Sequence, residues 1–167
     1  PRKQLTSSMG ASGPGLFSTF GDKRELYLKP IYHYADIDVC PPVIAFEEEP
    51  SIEVAVRDFL KTVVQYSTQQ EGGPRSCFLA QCVATSVGEV EGVDERMEKA
   101  IKDTDERLAQ KFEKAVATGA LRPDFPCLKR AQLLHDMRQG FVHRSRAGWS
   151  AEMLLDDIDD RVRMVLS

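Results

Sequence analysis

Met9-Gly-Ala-Ser-Gly-Pro-Gly-Leu-Phe-Ser-Thr-Phe-Gly-Asp-Lys-Arg-Glu-Leu-Tyr27 is dense in helix punctuation. Leu5 to Met9 reads as a short helical piece that stops at Gly10, a residue suited to the left-handed position after a helix end. Ser12 or Gly13 caps the next helix, and Pro14 fits its first turn, where no intrahelical N–H is lost. Leu16, Phe17 and Phe20 give that helix one apolar side, and Gly21 ends it. Asp22 then caps a third helix, with Glu25 three residues later completing a capping box. Two short helices joined by a tight glycine-containing turn have helix-turn-helix geometry, in which the second helix can enter a DNA major groove.

Outward from this block the chain is helical nearly throughout. Over 94–118, Met97, Ile101, Leu108, Phe112 and Val116 are spaced by four, seven, four and four, one stripe of a long amphipathic helix that Gly119 and Pro123 end. A second helix is predicted over 128–145, with Leu134, Met137, Phe141 and Val142 on its apolar side. A third follows Ser150, with Leu154, Ile158, Val162 and Val165 at three-to-four spacing. Ser51 caps a helix over 52–67 with Val56, Phe59, Leu60 and Val63 inward, and 77–87 reads as a short buried helix. The segments around Pro41-Pro42, Glu71-Gly-Gly-Pro74 and Leu121-Arg-Pro123 read as loops. Strand signals are nearly absent, so the chain is predicted to be all-α.

The 167 residues and 18.7 kDa suit one ordinary domain or a small headpiece on a larger core. No apolar run is long enough to span a bilayer, and the expected compartment is the cytoplasm. Four cysteines (Cys40, Cys77, Cys82, Cys127) form neither a disulfide framework nor a CxxC zinc clamp. His33, His135 and His143 lack metal-ligand spacing, so neither metal nor cofactor is expected. The net charge of −4 is unevenly spread: residues 1–34 hold five basic and two acidic side chains, and the remainder 17 and 24. A basic end on an acidic body implies two surfaces with different tasks. An enzyme is not expected, because GxSxG, HExxH, P-loop and Rossmann spacings are all missing.

The Met9–Tyr27 block resembles the recognition region of TetR-family (tetracycline-repressor-like) transcriptional regulators: a Gly turn, a short helix with Leu and an aromatic, an aromatic four residues after Leu16, then Gly-Asp-Lys before a long linking helix. The downstream helical arrangement, with its Arg-Ala-Gly turn at 146–148, is similar as well. The resemblance implies a DNA-binding head over 1–34, with the start of the linking helix, and a ligand-sensing and dimerisation body over 35–167. The head's first helix would lie upstream of Pro1. Ser12, Gly13, Pro14 and Phe17 would sit at the groove, Ser18 and Thr19 near phosphates, and Lys23 on a phosphate, with Lys3 as a weaker second. Phe17 stands where the family often has Tyr, which removes a hydroxyl contact and shifts recognition toward thymine methyls and DNA shape.

In the body, the resemblance implies a small-molecule pocket, with Tyr34, Phe59, Phe78, Cys82, His135, Arg138 and Phe141 as candidate lining. Arg138, if it faced that pocket, would favour an anionic effector. The last two helices, joined by a five-residue turn, are expected to be antiparallel neighbours with apolar residues on two sides. A symmetry mate is the simplest cover for the second side, which gives a homodimer through Met137, Gly140, Leu154, Ile158, Val162 and Val165. The expected activity is a ligand-responsive repressor binding a palindromic operator in double-stranded DNA. Alternatives are a helical small-molecule-binding or interaction module without DNA, and a thiol-based sensor using Cys77 and Cys82. The acidic run Asp156, Asp157, Asp159, Asp160 is expected to be a solvated face with Arg161 and Arg163 beside it, not a cation site.

Overall fold

The computed structural model describes residues 7–8, 10, 12–22, 24–25, 28–29, 41–69 and 88–167, with Leu16, Phe17 and Phe20 described by backbone alone. Every regular element among these residues is an α-helix: α1 (Gly13–Phe20), α2 (Pro41–Glu48), α3 (Ile52–Thr68), α4 (Val93–Ala117), α5 (Cys127–Arg146), α6 (Ala151–Leu155) and α7 (Ile158–Leu166). The all-α expectation therefore holds. The helix predicted over 77–87 lies outside the described residues. Among the described residues, no helix is long and apolar enough to cross a membrane.

α3 organises the body. Its buried residues are Ile52, Ala55, Val56, Phe59, Leu60, Val63, Val64 and Ser67, the three-four alternation of one continuous helical face. Ser51 starts the helix, its hydroxyl accepting from the Val54 N–H at 3.5 Å. α2, α5, α6 and α7 all pack on α3, while α4 crosses α2 and α5. At the junction of α2, α3 and α4 the rings of Phe59, Phe46, Phe112 and Phe125 form a chain in that order, with centroids 5.8, 5.4 and 5.4 Å apart and the first two contacts edge-to-face. Phe46, Phe59 and Phe112 retain no accessible surface.

Charged ties hold the outer elements to this core. Arg107 of α4 forks onto the Glu47 carboxylate at 2.9 and 2.8 Å, and Lys111 donates to the backbone carbonyls of Glu47 and Glu49 at 3.1 and 2.5 Å. A cation on the last carbonyls of a helix both satisfies orphan acceptors and complements the helix dipole. Arg57 of α3 pairs with Asp159 of α7.

Three sequence expectations need correction. Pro41-Pro42 opens α2 instead of forming a loop, because proline costs nothing in a first helical turn. The single helix expected after Ser150 is two, broken at Asp156-Asp157. Asp157 leaves helical backbone at φ −107°, ψ 22°, and its carboxylate takes both Nε–H and Nη2–H of Arg161 at 2.7 and 2.8 Å. That guanidinium, stacked 4.8 Å from the Phe141 ring centroid, holds the Asp157 carboxyl below the usual carboxylate range. Finally, the stripe of α4 is inward only in its C-terminal half. Leu108, Ala109, Phe112 and Ala115 are buried, whereas Ile101 is 43% exposed.

The acidic run on α6 and α7 is an outer face, as expected. Asp157, Asp159 and Asp160 pair with Arg161, Arg57 and Arg163 respectively.

Candidate nucleic-acid interface

The head is built by its punctuation. Gly10 closes a turn with its N–H on the Ser7 carbonyl at 3.3 Å, and Gly10 and Gly21, with φ of +60° and +92°, bracket α1. Ser12 is the cap of α1, its Oγ accepting from the Gly15 N–H at 3.0 Å. Asp22 caps the following helical residues by accepting from the Glu25 N–H at 2.8 Å. Glu25's own carboxylate stands 4.0 Å from Arg24.

Among the candidate DNA contacts, Ser12, Pro14, Ser18 and Thr19 are all exposed, so α1 offers this side to water. Both hydroxyls of Ser18 and Thr19 donate to the Gly15 carbonyl at 2.9 Å. A phosphate oxygen also needs a donor, so either side chain would rotate away from Gly15 to reach one. Gly13 is the first residue of α1. Lys3, Lys23 and the Phe17 side chain lie outside the described residues.

The candidate pocket residues divide differently. Phe59 and Phe141 are core side chains at 0% and 1% exposure. Arg138 is half-buried on α5, and Tyr34, Phe78 and Cys82 lie outside the described residues. His135 is buried and paired: Nδ1 lies 2.7 Å from Asp105 Oδ1, and Gln139 Nε2 lies 3.3 Å from His135 Nε2. With the Gln amide donating, the ring accepts at Nε2 and donates from Nδ1 to the carboxylate, a tautomer assigned from the network. Sequence reasoning missed Asp105, although a signal existed. It occupies the empty place in the seven-residue gap of the α4 stripe, between Ile101 and Leu108.

The candidate dimer residues also separate. Leu154, Ile158, Val162 and Val165 are at most 9% exposed within their own chain, as is Met137. These residues pack on α3 and the core of their own chain and keep little accessible surface. Gly140 does face outward, and a Cβ placed on it meets nothing within 4 Å.

Residues 54–154, from α3 into α6, match the family described as Tetracyclin repressor-like, C-terminal domain. The chain belongs to the TetR family. No curated protein matches it in sequence. Two solved structures similar to this TetR-family chain are cysteine mutants of the TetR family transcriptional regulator CifR complexed with 26 bp of double-strand operator DNA. The first is 21% identical with a TM-score of 0.84, over 98% of this chain and 84% of that one. The second is 21% identical with a TM-score of 0.82, over 95% and 83%. At that identity the likeness is one of fold.

In this TetR-family body, Cys127 is the cysteine among the described residues. Burial, helped by the charge of Glu113, pushes its thiol up from the ordinary value. Since the thiolate is the reactive form, Cys127 should be alkylated by iodoacetamide more slowly than in the urea-unfolded chain. Peptide mass spectrometry of both samples reads this out, and equal rates would contradict the burial.

Proposed function

We propose that this chain is a transcriptional regulator that reads double-stranded DNA as a homodimer and acts as a ligand-responsive repressor on a palindromic operator. Residues 1–34 serve as the reading head and 35–167 as the sensing and pairing body. The observation that carries the reading is the outward, Ser12-capped helix Gly13–Phe20 attached to a TetR-family body. The fold shared with CifR, whose mutants were captured on operator DNA, supports it.

Pairing belongs to the outward faces of α5 to α7 in this account. Lys129, Gln132, Asp136, Gly140 and His143 recur at three and four residues along the exposed side of α5. Met153 and Met164 on α6 and α7 are 53% and 52% exposed, and Leu128 at the start of α5 is 50% exposed. Large apolar side chains left in water on one helix pair suit an isologous contact with a second copy.

The reading is tested by gel shift of the full-length protein on its own upstream DNA across a salt series. Binding should weaken steeply with salt, by about 0.9 in the log–log slope per phosphate neutralised. Lys23→Ala should flatten that slope, while Phe17→Ala should lower affinity with the slope unchanged. If both variants bind as the unaltered protein does, the head assignment is wrong.

A further inference from the structure

Among the described residues, Leu28 at 3% and Val93 at 0% exposure are buried apolar residues outside the continuous core of the body. They mark a second, small packed patch where the start of the linking helix meets the start of α4. Arg24 and Leu28, one helical turn apart, both reach the turn that precedes α4. The Arg24 Nε–H donates to the Glu91 backbone carbonyl at 3.1 Å, across 67 residues of sequence, and lies 3.9 Å from the Glu91 carboxylate. Gly92 holds φ +87°. A Cβ on it would stand 3.4 Å from Arg24 Nη2 and 3.7 Å from Leu28 Cδ1. The left-handed backbone is what favours glycine at this position, since an added Cβ would meet the two side chains only in ordinary van der Waals contact.

We infer that Arg24 is a positioning residue, latching the reading head to the end of α4 and so fixing the orientation of that head on the body. The inference rests on the DNA-reading proposal and adds where head and body are joined. α4 is one unbroken helix of 25 residues. Its N-terminal end carries the latch turn, and Asp105, bound to His135 of α5, sits thirteen residues beyond Gly92, about 20 Å along the axis. A helix seated in the core along its C-terminal half and clasped to the head at its N-terminal tip passes a tilt of that tip on to the head. For a two-headed reader, head orientation sets which half-site separation fits, because one base pair changes both distance and rotation along the duplex.

The latch is tested with full-length protein and a pool of random duplexes, from which the unaltered chain selects its own site. That site is then remade with the half-site separation changed by one base pair either way. The unaltered protein should discriminate against the altered spacings by about tenfold. Arg24→Ala and, from the other side of the joint, Gly92→Ala should each reduce that discrimination to about twofold. Melting curves confirm that both variants are folded. Retained tenfold discrimination in both overturns the inference. A salt slope shallower by about 1.8 in Arg24→Ala, one phosphate from each head, would reassign Arg24 to the DNA backbone and also overturn it. Selection of no duplex by the unaltered protein removes the DNA-reading proposal itself and the latch with it.

Discussion

Gly140→Glu is expected to turn a dimer into monomers and to lower operator affinity by about 10²–10⁴-fold. That is the factor lost when two linked contacts become independent. Gly140 lies on the exposed side of α5, and open space surrounds its would-be Cβ, so a glutamate fits the single chain without displacing anything. Replacing a mid-helix glycine should even stabilise α5 in the monomer, by about 0.5–1 kcal/mol. A dimer paired through this face would, in contrast, bury a carboxylate from each chain where water is excluded. Sedimentation equilibrium and gel shift on the same sample separate the effects. A variant that remains dimeric with unchanged affinity would move the pairing face elsewhere.

Phe112→Ala is expected to cost the body about 3–5 kcal/mol, the range for removing a fully buried aromatic ring. Phe112 has no accessible surface and joins Phe46 of α2 to Phe125 in the loop before α5, with both centroids 5.4 Å away. Its removal therefore opens a void where three segments meet, and the edge-to-face contact with Phe46 is lost as well. For a chain of this size the melting temperature should fall by about 6–20 °C. Calorimetry of the two proteins under identical conditions provides the check. A fall below about 2 °C would mean that the aromatic chain does not organise the core.

The sequence exposed what is local and periodic. Ser12, Asp22, Ser51 and Ser150 were readable as caps because a capping side chain bonds a backbone N–H two or three residues on, and for each the structure has that bond. The ends of α4 and α5 were readable to within a residue or so from apolar spacing and the glycines that follow. Facing was less legible. Leu154, Ile158, Val162 and Val165 form a flawless stripe, but a stripe states only that one side is buried, and α3 of the same chain already covers it. Met153 and Met164, between the stripe positions, carry the exposed apolar surface instead. The Asp156-Asp157 break was hidden because the apolar spacing runs through it undisturbed. Arg24 gave no signal at all, since its partner carbonyl lies 67 residues away and any residue type supplies a carbonyl. Asp105 was visible in principle as a carboxylate on an apolar stripe, which burial tolerates only with a partner such as His135.

Native mass spectrometry of the full-length protein on a duplex that it has itself selected tests two-headed DNA reading most directly. An even number of chains per duplex, with no singly loaded species at limiting protein, is the result this account predicts. One chain per duplex at every protein concentration, or no retained duplex at low salt, would contradict it.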